Sequence, residues 1–134
     1  SPLAGEIYGL DSLGVEIEDM KNNTTRFLIM SNKKKNVHFE KNKKFMTTIV
    51  FQVKNIPAAL YKAMGGFATN NVNMVKLESY MVSGTFTSTQ FYADIEGHPD
   101  EEKVKRALDE LVFFTSFFKI LGVYECHNFR KFNS

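Results

Sequence analysis

From Phe45 onward the apolar residues fall into a regular order. In FMTTIVFQVK, Ile49, Phe51 and Val53 recur at every second position and predict a strand. PAALYKAMGGFATN changes period: Leu60, Ala63, Met64 and Phe67 share one side of a helix. NVNMVKLESYMV returns to strand character and Ser83-Gly84 marks a turn. In FTSTQFYADIEG, Phe91, Ala93 and Ile95 alternate with Gln90, Tyr92 and Asp94. A second helix opens at His98-Pro99-Asp100, and its acidic first turn (Asp100, Glu101, Glu102) suits the helix dipole. Val104, Leu108, Leu111 and Val112 form its buried stripe, with Ala107 where the packing is close. FFKILGVYEC closes the series as a strand. The order β-α-β-β-α-β over residues 45–126 predicts an α+β, ferredoxin-like fold, an antiparallel sheet with both helices on one face.

Upstream the pattern is less sustained. AGEIYGL reads as the end of a helix, with Ala4, Ile7, Tyr8 and Leu10 on one face and Gly9 and Gly14 as stop signals. VEIEDM, Val15 to Met20, alternates like a half-exposed strand. KNNTT is turn chemistry, and TRFLIMS from Thr25 predicts another strand. NKKKNVHFEKNKK, Asn32 to Lys44, is rich in Lys and Asn and has no period, so it is expected as a solvated, basic linker. The expected division is therefore an N-terminal piece over 1–31, a linker over 32–44, a folded unit over 45–127 and a tail over 128–134. A chain that opens without Met and inside a helix suggests the C-terminal piece of a longer protein.

Composition narrows the function classes. A net charge of +2 on 134 residues is too small to argue for a polyanion partner. The lysine run lacks the interleaved aromatics of a nucleic-acid surface, although a basic nucleic-acid-binding domain is the third alternative. The single cysteine, Cys126, builds no disulfide framework and favours a reducing, cytoplasmic setting. No apolar run approaches the ~20 residues that span a bilayer, so no membrane partner is expected. His38, His98, His127 and Cys126 have no metal-ligand spacing, and no nucleophile–base spacing appears; no metal and no cofactor are expected.

Two segments carry candidate binding chemistry. A helix start leaves backbone N–H groups unpaired, and with the dipole these attract an anion. In Asn55-Ile56-Pro57-Ala58-Ala59-Leu60, Asn55 is placed at or just before the cap and Pro57 where a missing N–H does no harm. Ala58 and Ala59 would let a carboxylate approach the backbone, and Leu60 begins the buried stripe. No Gly-rich phosphate loop is present, which favours an amino-acid-sized anion. The same residues are also ordinary helix-start chemistry. In KLESYM, Glu78 is suited to accept an ammonium and Ser79 to add a hydrogen bond, although Lys76, Glu78 and Tyr80 equally fit the solvent face of a sheet.

Taken together these residues resemble a known family. Residues 45–126 resemble an ACT domain, and more narrowly the regulatory ACT domain at the C-terminus of prephenate dehydratases. Asn55-Ile56-Pro57-Ala58-Ala59-Leu60-Tyr61 is similar to that family's N-x-P-G-A-L-Y segment, with Ala58 in place of Gly. Lys76-Leu77-Glu78-Ser79 is similar to its K-x-E-S segment, with Tyr80-Met81 where Arg-Pro is usual. FYADIEGHP and KILGVY look familial as well. Asn23-Thr24-Thr25-Arg26-Phe27 resembles the N-x-T-R-F motif near the end of the catalytic domain, and AGEIYGL is similar too.

The resemblance implies a lyase that converts prephenate to phenylpyruvate with loss of water and CO2, inhibited by L-phenylalanine. It implies Thr25 and Arg26 as remnants of a catalytic site whose bulk lies upstream, so that this chain alone is inactive and residues 1–31 lack the strands they normally pair with. It implies L-phenylalanine bound by Asn55, Pro57, Ala58, Ala59, Leu60, Glu78 and Ser79, in a homodimer joined through ACT domains, with a tetramer open for the longer enzyme. The alternative is a stand-alone amino-acid-binding or dimerisation module.

Overall fold

The computed structural model describes residues 2–20, 25–33, 35–82, 89–127 and 130. They divide into two compact units, Ser1–Asn32 and Lys33–Ser134.

In the first unit, α1 (Pro2–Tyr8) forms as the apolar spacing predicts, and Gly9 ends it with φ +63°. The strands expected at 15–20 and from Thr25 do not form. Phe27 and Ile29 are 86% and 101% exposed. Alternation gives a segment strand potential, but a ladder needs a neighbouring strand to take its N–H and C=O groups.

The second unit carries the expected ferredoxin-like order: β1 (Phe45–Val53), α2 (Ala59–Thr69), β2 (Met74–Met81), β3 (Thr89–Glu96), α3 (Glu102–Phe113) and β4 (Thr115–Glu125). The antiparallel sheet runs β2-β3-β1-β4. Strand β1 lies between β3 and β4 and is buried from Phe45 to Phe51 on both faces, which is why the period-two signal there is diluted by Met46 and Val50. One face carries the core: Ile49, Phe51, Phe91, Ala93 and Ile95 meet Ala63 and Phe67 of α2 and Val104, Ala107, Leu108 and Leu111 of α3. Phe51 and Phe91 stack with ring centroids 5.3 Å apart, a geometry that adds to area burial. Val112, expected in the buried stripe, is 45% exposed; it lies one position past Leu111 and turns away from the sheet. The turn expected at Ser83-Gly84, Asn23 and Thr24 of the N-x-T-R-F stretch, and most of the tail from 128 lie outside the described residues.

Part of the stretch expected as a solvated linker is packed. Phe39 lies against Phe45 and His98, with centroids 6.1 and 5.6 Å away. Lys43 pairs with Glu40 at 2.8 Å and with Glu125 of β4 at 3.4 Å. Those carboxylates raise the Lys43 pKa. Lysine-rich composition concealed the two apolar positions, Val37 and Phe39, that dock.

The start of α2 departs from the expected geometry. Ala58 is the N-cap, with φ 56° and ψ 29°, so Pro57 precedes the cap and no side chain, Asn55 included, bonds there. At α3, Glu101 is the N-cap and its carboxylate accepts the backbone N–H of His98 at 2.7 Å. The two helices approach closely at Gly66: a Cβ there would meet Glu110 Cβ at 2.7 Å and the Ala107 carbonyl at 3.2 Å. Asn70 spans the same contact, its Nδ2 donating to Gly66 O at 2.8 Å and to Glu110 Oε1 at 2.9 Å.

Three outcomes are expected. Gly66→Ala lowers thermal stability by about 1–2 kcal/mol, overpacking outweighing helix propensity, whereas Gly65→Ala, with open space at its Cβ, raises it by ~0.5–1 kcal/mol. Opposite shifts in melting temperature check the pair. Ala58→Gly raises stability by about 0.5–1 kcal/mol, because relief of the left-handed penalty exceeds the added freedom of the unfolded chain; its melting curve is the test. Burial pushes the Cys126 thiol pKa up. Stability from that site is present below the unfolded thiol's pKa and is lost as pH rises through the folded one, and alkylation of native Cys126 by iodoacetamide near pH 8 is slower than in the unfolded chain.

Candidate functional site

The segment from Lys54 to Leu60 leaves the end of central strand β1 and turns into α2. Its shape is set by the backbone: Ile56 N–H donates to Lys54 O at 2.9 Å, Ala59 N–H to Ile56 O at 3.2 Å, and Lys62 N–H to Ala58 O at 3.0 Å. The amides of Leu60 and Tyr61 have no partner among the described residues, as the second and third positions of an α-helix must unless a cap or ligand supplies an acceptor. Asn55, Ile56, Pro57 and Ala58 are exposed while Ala59 is buried. The result is a bare helix end with a positive dipole and no side chain folded over it.

Ala58 accounts for the Gly of the resembling motif in a way the sequence does not reveal. The position requires a left-handed backbone, which glycine adopts freely and alanine at a penalty. Its methyl group bears first on backbone conformation and only then on the approach of a ligand.

Lys54 ties this segment to the end of α3, which lies beside it where β1 pairs with β4. Its backbone N–H donates to Phe114 O at 2.9 Å, its Nζ donates to Phe113 O at 2.5 Å, and the ammonium lies 5.1 Å from the Phe113 ring centroid. The last carbonyls of α3 carry the negative end of that dipole, so a lysine suits them. Sequence reading passed over Lys54, because nothing local indicates that a carbonyl at position 113 waits for it.

Glu78 and Ser79 lie on β2, an edge strand. Ser79 registers with Phe91 and so lies on the helix-bearing face; Glu78 registers with Tyr92 and lies on the opposite face. Lys76 shares that face, its Nζ 3.1 Å from Glu78 Oε1 and 5.2 Å from the Tyr92 ring centroid. The Lys76–Glu78 pair is exposed and weak, so its carboxylate is available for exchange with another cation. No hydrogen bond or ion pair joins residues 55–60 to Glu78 or Ser79 within the chain. Gln52, near the end of β1, and Tyr80 of β2 both register with Gln90, so the two segments lie at the same end of the sheet, two strands apart.

On the same face, Asp94 is fully buried on β3 and accepts a hydrogen bond from Thr48 Oγ1 at 2.6 Å. Alternation sets Asp94 on the face opposite Ala93 and Ile95 but does not say that this face is covered there. Thr25 and Arg26 are exposed and belong to the first unit. Among the described residues no cluster of His, Cys, Asp and Glu forms a metal site, and no helix is long and apolar enough to cross a membrane.

Residues 1–35 match the family model described as prephenate dehydratase. A bifunctional N-acyl-homoserine lactone acylase/prephenate dehydratase of Komagataeibacter europaeus is 50% identical over 131 residues, covering 98% of this chain and 46% of that protein. A bifunctional chorismate mutase/prephenate dehydratase of Aquifex aeolicus is 39% identical over 124 residues, covering 92% of this chain and 33% of that protein. A solved prephenate dehydratase from Arthrobacter aurescens, in complex with L-Phe, matches with a TM-score of 0.58 and 26% identity, over 67% of this chain and 30% of that one. The chain thus spans less than half the length of the curated relatives it matches. Alignment across nearly the whole chain, together with the shared fold, makes it a relative of the prephenate dehydratases, corresponding to the C-terminal portion of such a protein.

Proposed function

We propose that this chain is the phenylalanine-sensing, feedback-inhibited portion of a cytoplasmic prephenate dehydratase. The parent enzyme would convert prephenate to phenylpyruvate with loss of water and CO2, and residues 45–127 would act as its ACT regulatory domain. The observation that carries the reading is the bare start of α2: unpartnered Leu60 and Tyr61 amides behind exposed Asn55, Pro57 and Ala58. A carboxylate fits such an end. The relative solved with L-Phe supplies the ligand chemistry.

Glu78 would hold the ammonium and Ser79 would add a hydrogen bond. As the resemblance implies, the reading places the site between two copies, with the edge strand β2 near the seam. Occupancy then biases subunit arrangement by the difference in ligand affinity between arrangements, and by no more than that. Thr25 and Arg26 would belong to the catalytic portion. A hydroxyl near the departing hydroxyl group relays a proton, and a guanidinium forks onto a carboxylate. Without the rest of that portion the chain turns over no prephenate.

The relative at 50% identity favours a second reading, in which the longer protein also cleaves N-acyl-homoserine lactones. Release of free homoserine lactone by the longer protein would support it; intact substrate would remove it.

Calorimetric titration of this chain with L-phenylalanine, beside L-tyrosine and L-leucine, is the direct test. Binding strongest for L-phenylalanine is expected, with a sedimentation mass of two chains. Glu78→Gln should weaken binding about tenfold or more, the loss of one charge-assisted hydrogen bond. Absence of heat with all three, or normal phenylpyruvate production by the isolated chain, would sink the proposal.

A further inference from the structure

His98 is 4% exposed, at the end of β1 away from the candidate ligand segment. Three elements hold it. Gly97, at φ +119°, donates its N–H to Phe45 O at 2.8 Å and accepts from Thr47 Oγ1 at 2.7 Å. Glu101 accepts the His98 backbone N–H at 2.7 Å. The Phe45 ring lies edge-on to the imidazole at 5.0 Å. The imidazole itself has two hydrogen-bond partners, and its Nδ1 also lies 3.5 Å from Asp100 Oδ2. Its Nδ1 accepts the Asp100 backbone N–H at 3.1 Å, which puts the ring proton on Nε2. Nε2 lies 2.9 Å from the Val37 carbonyl, so it donates there. Two residues on, Phe39 lies against both His98 and Phe45. Val37–Phe39 lies just inside the second unit, where the chain has left the first.

We infer that His98 is a clasp that fastens the incoming strap, Val37–Phe39, to the head of strand β1, and that a response begun at the ligand segment leaves the unit through this fastening. The physical warrant is connectivity through a rigid element. Strand β1 is hydrogen-bonded along both edges and buried on both faces from Phe45 to Phe51. Its C-terminal end leads into Lys54–Leu60, and its N-terminal end carries Phe45 under the clasp. A buried, doubly paired strand moves as a body, so displacement at one end reaches the other. The strap is held by one side-chain hydrogen bond, from His98 Nε2 to the Val37 carbonyl, and by two ring contacts, Phe39 to His98 and to Phe45. The coupling half of this inference rests on the proposed ligand site; the clasp does not.

Nuclear magnetic resonance of this chain tests both halves. In the wild type, backbone order parameters at Val37–Phe39 should approach those of β1, near the rigid value of about 0.85. His98→Phe keeps a ring against Phe39 and Phe45 but removes the Nε2 donor. It should lower order at the strap toward ~0.6 while leaving β1 and β3 unchanged. Phe39→Ala, which leaves His98 in place, should do the same. His98→Gln, whose amide can donate to the Val37 carbonyl, should restore part of the order. Saturating L-phenylalanine should shift resonances at both 55–60 and 37–39 in the wild type, and only those at 55–60 in His98→Phe. A strap equally ordered in His98→Phe and Phe39→Ala would overturn the clasp. Shifts at 55–60 without any at 37–39 in the wild type would overturn the coupling. No shift anywhere would overturn the ligand site, leaving the clasp to be judged by the order parameters alone.

Discussion

The hydrogen-bonding of β1 along both edges is the constraint from which the second unit is built. Because β3 and β4 pair with it along both edges, with register shifts toward β4 at Thr48/Ile49 and Gln52/Val53, both faces of β1 can be covered. Seven consecutive residues, Phe45 to Phe51, are buried as a result. The helices then pack on one face through small residues. Ala63, Gly66 and Ala107 keep α2 and α3 close enough for Asn70 to reach Glu110. The strand's two ends, where the chain must leave it, carry the turn into α2 at one and the contacts around Phe45 at the other.

The order of elements in this unit was legible because each is announced by a local period, and because the two apolar periods alternate without ambiguity. What was not legible is telling. The cap of α2 depends on a left-handed φ at Ala58, and alanine carries no sign of that conformation; only the resemblance to a Gly-bearing motif hinted at it. Val37 and Phe39 were masked by the lysines around them. The burial of Asp94 was not legible because alternation says which face a side chain takes, not whether that face is covered. In the first unit the failure ran the other way. Val15–Met20 and Thr25–Ser31 have sound strand patterns, yet a pattern specifies a strand only in the presence of an edge to pair with.

The candidate ligand residues divide along the same line. Asn55, Pro57, Ala58, Ala59 and Leu60 are contiguous, so one local structure positions them together. Glu78 and Ser79 point to opposite faces of β2, as neighbours on any strand must. For both to serve one ligand, the ligand must sit at the strand's edge, where the faces meet, rather than over either face. β2 is an edge strand, which makes such an arrangement geometrically available and makes a second copy the natural source of the remaining walls.

That arrangement has an electrostatic consequence. A free amino acid carries both charges within a few ångströms, and a site for it needs an acceptor and a donor set at that spacing, each without a strong competitor. The start of α2 offers N–H groups with no acceptor of their own. Glu78 is engaged by Lys76 in an exposed pair, which a ligand ammonium can displace at small cost because such pairs contribute little in water. Lys54, the cation that precedes the helix end in sequence, is already occupied by Phe113 and the C-terminus of α3. It therefore fixes the segment rather than neutralising a carboxylate. Such a site recognises the zwitterionic end common to all amino acids. On the proposed reading, discrimination for phenylalanine over its analogues would come from apolar walls supplied by a second copy, so selectivity and assembly would be set by the same surface.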